Sequence, residues 1–585
     1  MVFNLKKLLL TSALLLPLTA CTLDGTSSEV REDREPEAAT GIEQKALHTA
    51  QKFMVAAANP YASQAGYNVL EKGGSAIDAA IAVQLVLTLV EPQSSGIGGG
   101  AFILHFDNQA QKLTSFDGRE TAPAKSSQDM FLQENGQPVR WIDAVVGGRS
   151  VGVPGVLKAL EDAHNKYGIL PWAALFEDAI TLAEEGFIVS PRMAKLVAMG
   201  FNPGVKKLSN ASNYFYPNGQ PLAQGSLLKN PQLGKVYRAI AEQGTEVFYR
   251  GWIAENIVAA VNNAAIAPGT LSMADMKNYQ AQQKSAVCAP YKAYKLCGMA
   301  PPSSGGVAVI QILKQLEQHN LAQVDPMSEK AVHLFAQSSR LAFADRNHYI
   351  ADPDFIDVPV EQLITDNYTA RRGELIEQQD LGKVSHGRFD PMVRAADNAI
   401  EMPSTSHISI VDAKGNAISM TTSIEMAFGS AVMVDGFLLN NQLTDFSLAP
   451  EVDGKPVANA LAPLKRPRSS MAPMMVFNAD NSLRLVVGSP GGSRIINYVA
   501  QTMIAVLDWD MDIQSAINLP KVTNRNDVTS LEKGTELEAL QGGLEQRGHK
   551  VSIRNLNSGI QGIEVFDSQL VGGADPRREG KVMGQ

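Results

Sequence analysis

Apolar residues recur at helical spacing in the first part of the chain, from residue 53 to residue 90. Within this stretch, residues 66–90 (GYNVLEKGGSAIDAAIAVQLVLTLV) carry an Ala-rich face that favours close helix packing. A glycine-rich segment, SGIGGG at 95–100, precedes AFILHF at 101–106, whose apolar run predicts a strand. Helical spacing dominates again from about 154 to 342. Helices are therefore predicted on both sides of one early strand.

A second, strand-rich region begins at Thr405. HISIVDAKGNAISMTTSI, from His407, consists of two alternating runs joined by Ala-Lys-Gly-Asn, and this turn chemistry predicts a hairpin. Further strands are predicted in GFLLNN, PMMVFN and LRLVVGS, followed by a helix in INYVAQTMIAVLDW and a C-terminal tail of mixed helix and strand. Because helices and strands occur on both sides of residue 405, a layered α/β architecture is predicted.

Composition and charge narrow the classes of function. The 585 residues are 45% hydrophobic and carry a formal net charge of −9. Such a chain can build a substantial core, as one very large domain or several ordinary ones. The negative balance provides none of the basic surface that nucleic-acid binding requires. No nucleic-acid partner is therefore expected, and small polar or zwitterionic substrates stay open.

The N-terminal residues have the pattern of an export signal. Two lysines precede an apolar stretch at 8–16 that is too short to span a bilayer. The stretch leads into Leu-Thr-Ala-Cys at 18–21, which resembles the lipobox of bacterial lipoproteins. We expect residues 1–20 to be a lipoprotein signal peptide and Cys21 to be acylated, with an ordinary secretory signal as the alternative.

An acylated cysteine would hold the exported protein on the periplasmic side of a membrane, because two or three acyl chains anchor stably. Thr22 rather than Asp follows the cysteine, which in enterobacterial lipoproteins favours the outer membrane. Without acylation, a periplasmic location is expected. Residues 21–45 are rich in Glu, Arg, Ser and Pro and are predicted to form a disordered tether.

The two remaining cysteines, Cys288 and Cys297, lie in CAPYKAYKLC. Alternation around its Pro-Tyr-Lys-Ala turn predicts a hairpin. The exported setting permits a disulfide between the two residues. Two separate buried thiols are the alternative, because the sequence does not give the register of the hairpin.

The first glycine-rich motif does not indicate a cofactor. Gly96-x-Gly98-x-x-Ala101 matches the dinucleotide fingerprint, which needs a strand before it and a helix after it. Here the predicted order is helix, glycines, strand, so the Rossmann interpretation fails and no cofactor is predicted. The nine histidines include no HxxxH pair and the chain has no CxxC, so no metal is expected.

A second glycine cluster, GSPGGSR at 488–494, lies between a predicted strand and a predicted helix. The adjacent Gly491 and Gly492 at a helix start leave backbone N–H groups that point outward, as in an anion-binding nest. Phosphate binding would fit, although no Walker lysine follows. An oxyanion hole for acyl transfer fits equally well, and a tight structural turn is the third alternative.

A third cluster, Ser404-Thr405-Ser406-His407, opens a predicted strand. Taken alone, Thr405 is one hydroxyl ahead of that strand, and the nearness of an imidazole could be incidental. Neighbouring residues on a strand point to opposite faces, so the Ser-His-Asp arrangement does not explain the cluster. Its meaning depends on the motifs elsewhere in the chain.

Over residues 53–585 the chain resembles the γ-glutamyltranspeptidase (glutathione hydrolase) family. Nine motifs match in the family order: SGIGGGAF, FDGRETAPAKSSQDMF, PPSSGG, FADRNHYIADPDF, TSHISIVDAKGNAIS, FLLNNQLTDFS, KRPRSSMAP, GSPGGSR and GGADPRR. The resemblance implies the four-layer αββα sandwich of N-terminal-nucleophile hydrolases, formed jointly by a large and a small subunit. It also implies an inactive precursor.

In that family the precursor splits before the threonine at the position of Thr405. Its hydroxyl would attack the carbonyl of Ser404 and form an ester, which water hydrolyses. The freed α-amino group would then act as general base, so His407 is assigned a structural role. A large subunit, 46–404, and a small catalytic subunit, 405–585, are expected to stay together.

The resemblance also implies how a donor is bound. The guanidinium of Arg119 would pair with the donor's α-carboxylate, because its planar fork matches a carboxylate. The hydroxyls of Ser469 and Ser470 would assist it. Gln442 and Asp445 would hold the α-ammonium.

The remaining implied roles concern the reaction itself. Thr421 and Ser423 would flank the nucleophile and assist processing or orientation. Gly491 and Gly492 would supply the oxyanion donors, which is the acyl-transfer alternative for the second glycine cluster. Small-molecule donors, with water or an amino acid or peptide as acceptor, are the expected partners.

Two features depart from well-known members of the family. Glu425 stands where they have an asparagine whose amide contacts the α-ammonium. A carboxylate there would replace a hydrogen bond by a salt bridge, crowd the site, or indicate another acyl group. The segment between Phe446 and Lys465 is shorter than in enzymes with an active-site lid and lacks their tyrosine, which suggests an open site.

Three hypotheses follow for the function. The leading one is a γ-glutamyl hydrolase and transferase that acts on glutathione and related γ-glutamyl amides. The second is an acylase for glutaryl or similar side chains, as in the cephalosporin acylases that share this fold and processing. The third is a non-catalytic binding lipoprotein, which is disfavoured because nucleophile, oxyanion glycines and carboxylate-binding residues are all present.

Overall fold

The computed structural model describes residues 43–389, 394–397, 399, 401–402 and 404–585. The predicted signal peptide, the predicted acylation site Cys21 and most of the predicted tether lie outside these residues. The last three residues of that tether are held in place, since the Glu43 N–H donates to the Pro576 carbonyl at 3.0 Å and Lys45 Nζ to the Arg578 carbonyl at 2.8 Å. The described part of the chain contains no helix long and apolar enough to cross a bilayer.

Strands occur in three groups along the chain: before residue 300, between 406 and 488, and after 520. In chain order they are β1 His48–Ala50, β2 Met54–Ala57, β3 Gly100–Asp107, β4 Lys112–Gly118, β5 Phe187–Ile188, β6 Leu227–Leu228, β7 Gln282–Lys284, β8 Val287–Tyr291, β9 Tyr294–Gly298, β10 Ser406–Val411, β11 Ala417–Ser423, β12 Met433–Val434, β13 Phe437–Leu438, β14 Glu451–Val452, β15 Lys455–Pro456, β16 Met474–Asn478, β17 Leu483–Gly488, β18 Val522–Asn524, β19 Thr529–Glu532, β20 Val551–Arg554, β21 Gln561–Phe566, β22 Gln569–Ala574 and β23 Lys581–Gly584.

Two seven-stranded sheets form the centre of the fold. The first has the order β1-β22-β21-β17-β16-β9-β8 and the second the order β23-β2-β10-β11-β3-β4-β7. Neighbouring strands in both sheets are antiparallel. In the second sheet, the β10–β11 hairpin lies between β2 and β3, so strands from before and after residue 405 are interleaved.

Helices cover the outer face of each sheet, which gives the predicted αββα order of layers. Pro60–Glu71 and Ala76–Val90 pack on the second sheet, and Gly305–Leu316 and Ile495–Leu507 on the first. The other helices are Trp141–Val145, Val156–Tyr167, Glu177–Glu185, Pro191–Met199, Gly204–Lys207, Ser209–Phe215, Pro231–Gln243, Glu246–Tyr249, Trp252–Asn262, Met273–Asn278, Glu329–Tyr349, Val360–Ile364, Asp366–Gly373, Ile513–Asn518 and Gln541–Gln546.

Alternation along β10 separates an apolar face from a polar one. Ile408 and Ile410 belong to the apolar core between the second sheet and its helices. His407 and Ser409 point the other way, towards the first sheet, where the Ser409 hydroxyl donates to the Gln561 carbonyl at 3.0 Å. The space between the sheets is therefore polar at the end where the candidate nucleophile lies.

Several predicted elements are confirmed, and two differ. The hairpin after Thr405 is β10–β11, and CAPYKAYKLC forms β8–β9, in which Cys288 lies opposite Cys297 and the two form a disulfide. The predicted helical pattern from residue 53 is wrong over Met54–Ala57, which form β2 because these residues pair with both β10 and β23.

The second difference is GFLLNN, which is a strand only at Phe437–Leu438. The following Asn440 does not extend the strand. Its side-chain amide donates to the Gly98 carbonyl at 2.8 Å and to the Gly152 carbonyl at 2.9 Å. These bonds hold the SGIGGG segment instead, which follows the helix Ala76–Val90 and leads into β3, as the order helix, glycines, strand predicts.

Candidate active site

Thr405 lies immediately before β10 and is buried, with 3% of its surface exposed. Because β10 and β11 are antiparallel, Ser423 at the end of β11 lies beside it, with 3.2 Å between the two hydroxyl oxygens. The chain is uncut here, and the Thr405 hydroxyl lies 2.7 Å from the carbonyl oxygen of Ser404. The candidate nucleophile and the bond it is predicted to attack are therefore in contact.

The Ser423 hydroxyl also points at this carbonyl. It accepts a 2.8 Å hydrogen bond from the backbone N–H of Glu425, which leaves its own proton for the Ser404 oxygen, also at 2.8 Å. Hydroxyl donors aimed at a carbonyl stabilise the negative charge that forms on its oxygen when the carbon is attacked. The Ser404 carbonyl therefore has a stabilising donor before any ligand arrives.

Thr421 and His407 form a separate pair behind the nucleophile. Residues two apart on a strand face the same side, so alternation does not separate His407 from Thr405, contrary to the sequence-based argument. The imidazole is occupied, however: Nδ1 lies 2.9 Å from the Thr421 hydroxyl and Nε2 lies 3.1 Å from the Ser409 hydroxyl. Burial lowers the pKa of His407 to about 3. Thr421 therefore bonds to His407, whereas Ser423, the other predicted flanking residue, forms the hydrogen bond with Thr405.

Gly491 and Gly492 lie between β17 and the helix Ile495–Leu507, as predicted. Their φ angles are +137° and +56°, in the region that side chains other than hydrogen disfavour. A Cβ on Gly491 would lie 2.6 Å from the ring of Tyr498, and a Cβ on Gly492 would lie 2.7 Å from the carbonyl oxygen of Glu401. The glycines therefore allow both a tight turn and the close approach of another backbone.

A pocket joins Thr405 to most of the other predicted residues. Residues from both sides of the Ser404–Thr405 bond line it, and no segment between Phe446 and Lys465 takes part. Its lining consists of Arg119, Glu401, Met402, Thr405, Ser423, Glu425, Gln442, Asp445, Ser469, Ser470, Met471, Gly492 and Ile495.

Arg119 is buried and its guanidinium is already occupied. One nitrogen donates to the Asp445 carboxylate and to the Arg468 carbonyl at 2.8 Å, and Nε donates to the Pro467 carbonyl at 3.1 Å. The third nitrogen lies 3.6 Å from Glu120. The predicted partner of the donor's carboxylate is thus bound by the protein itself in the uncut chain.

Three further side chains that can accept hydrogen bonds line the pocket. Gln442 Oε1 and Asp445 Oδ1 are buried and have no hydrogen-bond partner among the described residues. Glu425 accepts from the Met402 N–H at 3.0 Å and from the Asn441 amide. Such a cluster of buried acceptors suits a ligand with several N–H donors.

The charge state of these acceptors responds to their burial. Burial raises the pKa of Asp445 to about 7, although Arg119 works against the rise, and the nearby Glu401 adds to it. Burial and the neighbouring Asp445 raise the pKa of Glu425 well above its usual range. A cation bound between the two carboxyl groups would favour their ionised forms.

Four residues with contacts at this site were missed by the sequence-based prediction. Glu401 forms an ion pair with Arg346 and lies 3.6 Å from Arg468. Arg578 donates to the carbonyl oxygen of Thr405 at 3.3 Å. Arg346, Arg468 and Arg578 all lie within matched motifs (FADRNHYIADPDF, KRPRSSMAP and GGADPRR), so the motifs could have drawn attention to them.

Within the described part of the chain, no group of His, Cys, Asp and Glu side chains is arranged to hold a metal ion. The groups that can carry chemistry near Thr405 are hydroxyls, backbone N–H groups, carboxyl groups and guanidinium groups. Together they can attack a carbonyl, stabilise the resulting oxyanion and hold a small charged molecule.

The chain is similar to known proteins over most of its length, both in sequence and in fold. A sequence model described as gamma-glutamyltranspeptidase matches residues 62–585. Glutathione hydrolase proenzymes from Bacillus subtilis (strain 168) and Escherichia coli (strain K12) are 36% and 34% identical, each alignment covering 93% of both chains. The crystal structure of a cephalosporin acylase from Bacillus halodurans superposes with a TM-score of 0.82 at 27% identity, covering 93% of this chain and 97% of the other.

Proposed function

Since the chain belongs to the γ-glutamyltranspeptidase family, whose fold is that of an N-terminal-nucleophile hydrolase, we propose that it cleaves itself before Thr405 and then hydrolyses γ-glutamyl amides. Glutathione and related compounds are the proposed donors. The γ-glutamyl group passes through an ester with Thr405 to water, or to an amino acid or peptide.

The first step of self-cleavage, the shift of the Ser404 acyl group from nitrogen to oxygen, uses groups already in contact. The Thr405 oxygen attacks the Ser404 carbonyl carbon, the C–N bond breaks, and the hydroxyl proton passes to the released amine of Thr405. Water then hydrolyses the ester, giving a Ser404 carboxylate and restoring the Thr405 hydroxyl. The Ser423 hydroxyl, 2.8 Å from the carbonyl oxygen, stabilises the intermediate. The products are the predicted large subunit, ending at residue 404, and the small subunit, 405–585.

The mature site reuses the same atoms on a donor. The free amine of Thr405 takes the proton of its own hydroxyl, and the oxygen attacks the γ-carbonyl of the donor. The proton passes to the departing amine, and the N–H groups at Gly491 and Gly492 stabilise the oxyanion. Water or an acceptor amine then releases the acyl group by the reverse sequence.

The buried acceptor oxygens of Gln442 and Asp445 are the groups that distinguish one acyl donor from another. Two buried oxygens without partners, beside a carboxyl group at Glu425, would be satisfied by the α-ammonium of a γ-glutamyl group. A glutaryl group has a hydrogen there and would leave both oxygens unsatisfied. This observation favours γ-glutamyl donors.

A glutaryl acylase is the second candidate, and two observations favour it. The chain superposes on the cephalosporin acylase from Bacillus halodurans, and no residue between Phe446 and Lys465 lines the pocket. An active site without a lid would admit the bulky leaving groups that an acylase releases. The two candidates differ in whether the acyl group carries an ammonium.

The test compares γ-glutamyl p-nitroanilide with glutaryl p-nitroanilide, which differ only in the α-ammonium. We expect kcat/KM to favour the γ-glutamyl compound by about 100-fold or more, because the glutaryl compound has no ammonium and leaves the buried acceptors unpaired. Preference for the glutaryl compound would establish the acylase function instead. A single uncut band on denaturing electrophoresis, without activity on either compound, would exclude both enzymes.

We also propose that the mature protein begins at an acylated Cys21 and is held on the periplasmic face of the outer membrane. This proposal rests on the sequence of residues 1–22 alone. Mass spectrometry of the N-terminal peptide tests it, since acylation adds the mass of two or three fatty acids. Release of the protein by osmotic shock, with an unmodified N-terminus, would contradict it.

A further inference from the structure

The GGADPRR motif, at 572–578, ends on an arginine that contacts the nucleophile residue. Arg578 Nη1 donates to the carbonyl oxygen of Thr405 at 3.3 Å. Nη2 of the same guanidinium donates to the Asn557 carbonyl at 3.1 Å. The residue is buried, with 2% of its surface exposed. The reaction described above gives this arginine no task, although it touches the backbone of Thr405.

The surrounding chain holds the arginine in this position. Lys45 Nζ donates to the carbonyl oxygen of Arg578 at 2.8 Å, and the Asp575 carboxylate accepts from the Arg577 N–H at 3.0 Å. Gly559 leaves the room that the side chain needs, because a Cβ there would lie 2.6 Å from Arg578 Cδ. The direction of the guanidinium is therefore built into the fold.

The contact between Arg578 and Thr405 does not depend on the bond that is cut. Cleavage breaks the peptide bond before Thr405, whereas the accepting carbonyl belongs to the bond after it. In the cut protein Thr405 carries an α-amino group. The nitrogen and the carbonyl oxygen of one residue are at most about 3.6 Å apart, so the guanidinium lies within about 7 Å of the amine.

The proposed reaction requires this amine without its extra proton. A neutral amine can take the proton of the Thr405 hydroxyl, and an ammonium group cannot. An ordinary α-amino group has a pKa of about 7.7–8.0, so it is mostly protonated at neutral pH. A cation within several Å disfavours the ammonium form. Arg578 supplies such a cation, since burial lowers its own pKa only to about 9.

Other charged groups also face Thr405 from the pocket. The charged residues among the pocket lining are Arg119, Glu401, Glu425 and Asp445. Carboxylates there would favour the ammonium form of the amine. Their effect is reduced, however, because Asp445 is paired with Arg119 and because burial raises the pKa of both Asp445 and Glu425.

The remaining groups change this balance little. Glu401 is bonded to Arg346 and lies 3.6 Å from Arg468, so its charge is offset. His407 is two residues from the amine on β10, and burial lowers its pKa to about 3, which leaves it neutral. Arg578 is thus the cation that is bonded to the backbone of the nucleophile residue itself.

We propose that Arg578 is a positioning residue for the catalytic amine, because it fixes the backbone of Thr405 and its charge keeps the α-amino group of Thr405 neutral at neutral pH. This role rests on the proposed function, in which that amine is the base. It also assigns the GGADPRR motif a task in every turnover.

The first measurement follows the amine directly in the cut protein. Acetic anhydride acetylates neutral amines, so the acetylation rate of the N-terminal peptide of the small subunit, measured by mass spectrometry against pH, gives the pKa of the Thr405 amine. We expect a midpoint at least about half a pH unit below the ordinary value of about 7.7. A midpoint closer to the ordinary value, or above it, would overturn the proposal.

Variants of Arg578 then test whether its charge is the cause. Arg578→Gln removes the charge and retains an N–H donor, and we expect the midpoint to rise by about one pH unit. Arg578→Lys retains the charge and should have a midpoint close to that of the unaltered protein. An unchanged midpoint in Arg578→Gln, or an equal rise in both variants, would overturn the proposal.

Asn557→Asp tests the same charge without altering Arg578, and it replaces Arg578→Gln if that variant is not cut. Asn557 accepts from the guanidinium through its carbonyl, and its buried Oδ1 has no partner among the described residues. A carboxylate of the same size should offset the charge and raise the midpoint by about half a pH unit. A midpoint that does not move would count against the proposal.

Arg466→Gln is the matched control. Its guanidinium is also buried and donates to a backbone carbonyl, that of Gln280 at 2.8 Å, but it does not line the pocket. The midpoint of the amine should stay unchanged in this variant, even if the protein is less stable. A rise as large as in Arg578→Gln would mean that loss of any buried arginine has this effect.

The second measurement is the pH dependence of kcat for γ-glutamyl p-nitroanilide. This parameter reports the groups of the enzyme–substrate complex, in which the bound ammonium favours ionised Glu425 and Asp445. The acid limb of the profile should move to higher pH in Arg578→Gln by the same amount as the midpoint of acetylation. A lower maximum with an unmoved acid limb would show a structural role alone and would overturn the proposal.

The two measurements separate this role from the proposed function. A chain that stays uncut has no Thr405 amine to acetylate, and this result would overturn the proposed function. In a chain that is cut but does not hydrolyse γ-glutamyl compounds, acetylation still tests Arg578 and only the proposed donor is wrong. If an active γ-glutamyl hydrolase has an amine midpoint independent of Arg578, the function stands and the role of Arg578 is wrong.

Discussion

The hydroxyl of Ser423 donates a 2.8 Å hydrogen bond to the carbonyl oxygen of Ser404, the residue before the nucleophile. The Glu425 N–H fixes the direction of this hydroxyl by donating to it. In the uncut chain the backbone of Glu401 and Met402 lies close to Gly492, and we therefore propose that self-cleavage uses the Ser423 hydroxyl as its oxyanion donor instead of the glycine pair. In this proposal, the donor for the first reaction comes from the end of β11, and the donors for later turnovers come from the loop after β17.

Ser423→Ala should slow self-cleavage about 100-fold, since loss of one oxyanion donor costs about that factor. The half-life of the uncut chain, followed by denaturing electrophoresis after purification under non-permissive conditions, measures the effect. Thr422→Ala is the control, because the Thr422 hydroxyl bonds to the Gly100 carbonyl instead. Equal rates for Ser423→Ala and the unaltered chain would show that this hydrogen bond does not contribute.

Thr405→Ala should leave the chain as one polypeptide, because no oxygen remains to attack Ser404. Thr405→Ser keeps the hydroxyl and should still cut, at a changed rate. Intact-protein mass spectrometry distinguishes one species from two. Two fragments separated at residue 404 in the alanine variant would rule out Thr405 as the self-processing nucleophile.

Gln442→Met should selectively lower the activity towards γ-glutamyl donors. Gln442 Oε1 is one of the two buried acceptors of the pocket without a partner among the described residues. We expect kcat/KM for γ-glutamyl p-nitroanilide to fall about 10- to 100-fold, the worth of one hydrogen bond to a charged group. For glutaryl p-nitroanilide the value should stay constant or rise. A parallel fall for both compounds would indicate general damage to the pocket.

His407 should make the uncut protein less stable in acid. Its pKa is about 3 in the folded chain, because of burial, and near 6.5 when unfolded. The unfolded state therefore binds more protons between these values, so stability is lost as the pH falls below 6.5, by up to about 1.4 kcal/mol per pH unit. Urea unfolding of Thr405→Ala with and without His407→Gln, from pH 7 to pH 4.5, measures this slope.

The difference between the two slopes isolates His407, since other buried histidines contribute equally to both proteins. We expect the His407→Gln protein to have the shallower dependence, even if it is less stable at pH 7. Identical slopes would mean that His407 is not buried as a neutral group.

The disulfide between Cys288 and Cys297 should stabilise the β8–β9 hairpin and the edge of the first sheet. Closing a loop of this length is worth about 2–3 kcal/mol in the chain-entropy account. Replacing both cysteines by alanine should lower the free energy of unfolding by about that amount, as measured in urea. A reducing agent should lower the stability of the unaltered protein similarly and leave the alanine variant unchanged.

The strand pairs closed by short turns were predictable because each depends on nearby residues. The β10–β11 hairpin follows from two alternating runs and a Lys-Gly turn, and Gly415 has the positive φ that such a turn requires. The strand β2 was not predictable, because MVAA carries no strand signal of its own and pairs with β10 and β23 from the other end of the chain.

In the candidate site, too, the sequence predicted what depends on neighbouring residues and not what depends on distant ones. Motifs indicated Thr405 and the glycine pair, since each lies in a recognisable stretch, and the resemblance to the family indicated Ser423. The sequence did not indicate that Glu401 fills the pocket or that Arg119 is occupied by Asp445. Both depend on the distances between segments that are far apart in the chain.

The interleaving of β10 and β11 between β2 and β3 has a consequence for how the gene can be arranged. Residues 405–585 made alone would present both free edges of the β10–β11 pair to water, and such edges promote aggregation. We therefore expect the halves, made as two separate products, to aggregate instead of folding independently. A single reading frame that is cut after folding supplies both halves in equal amounts, with their strands already paired. Neither half is expected to be recovered in soluble form when it is made alone.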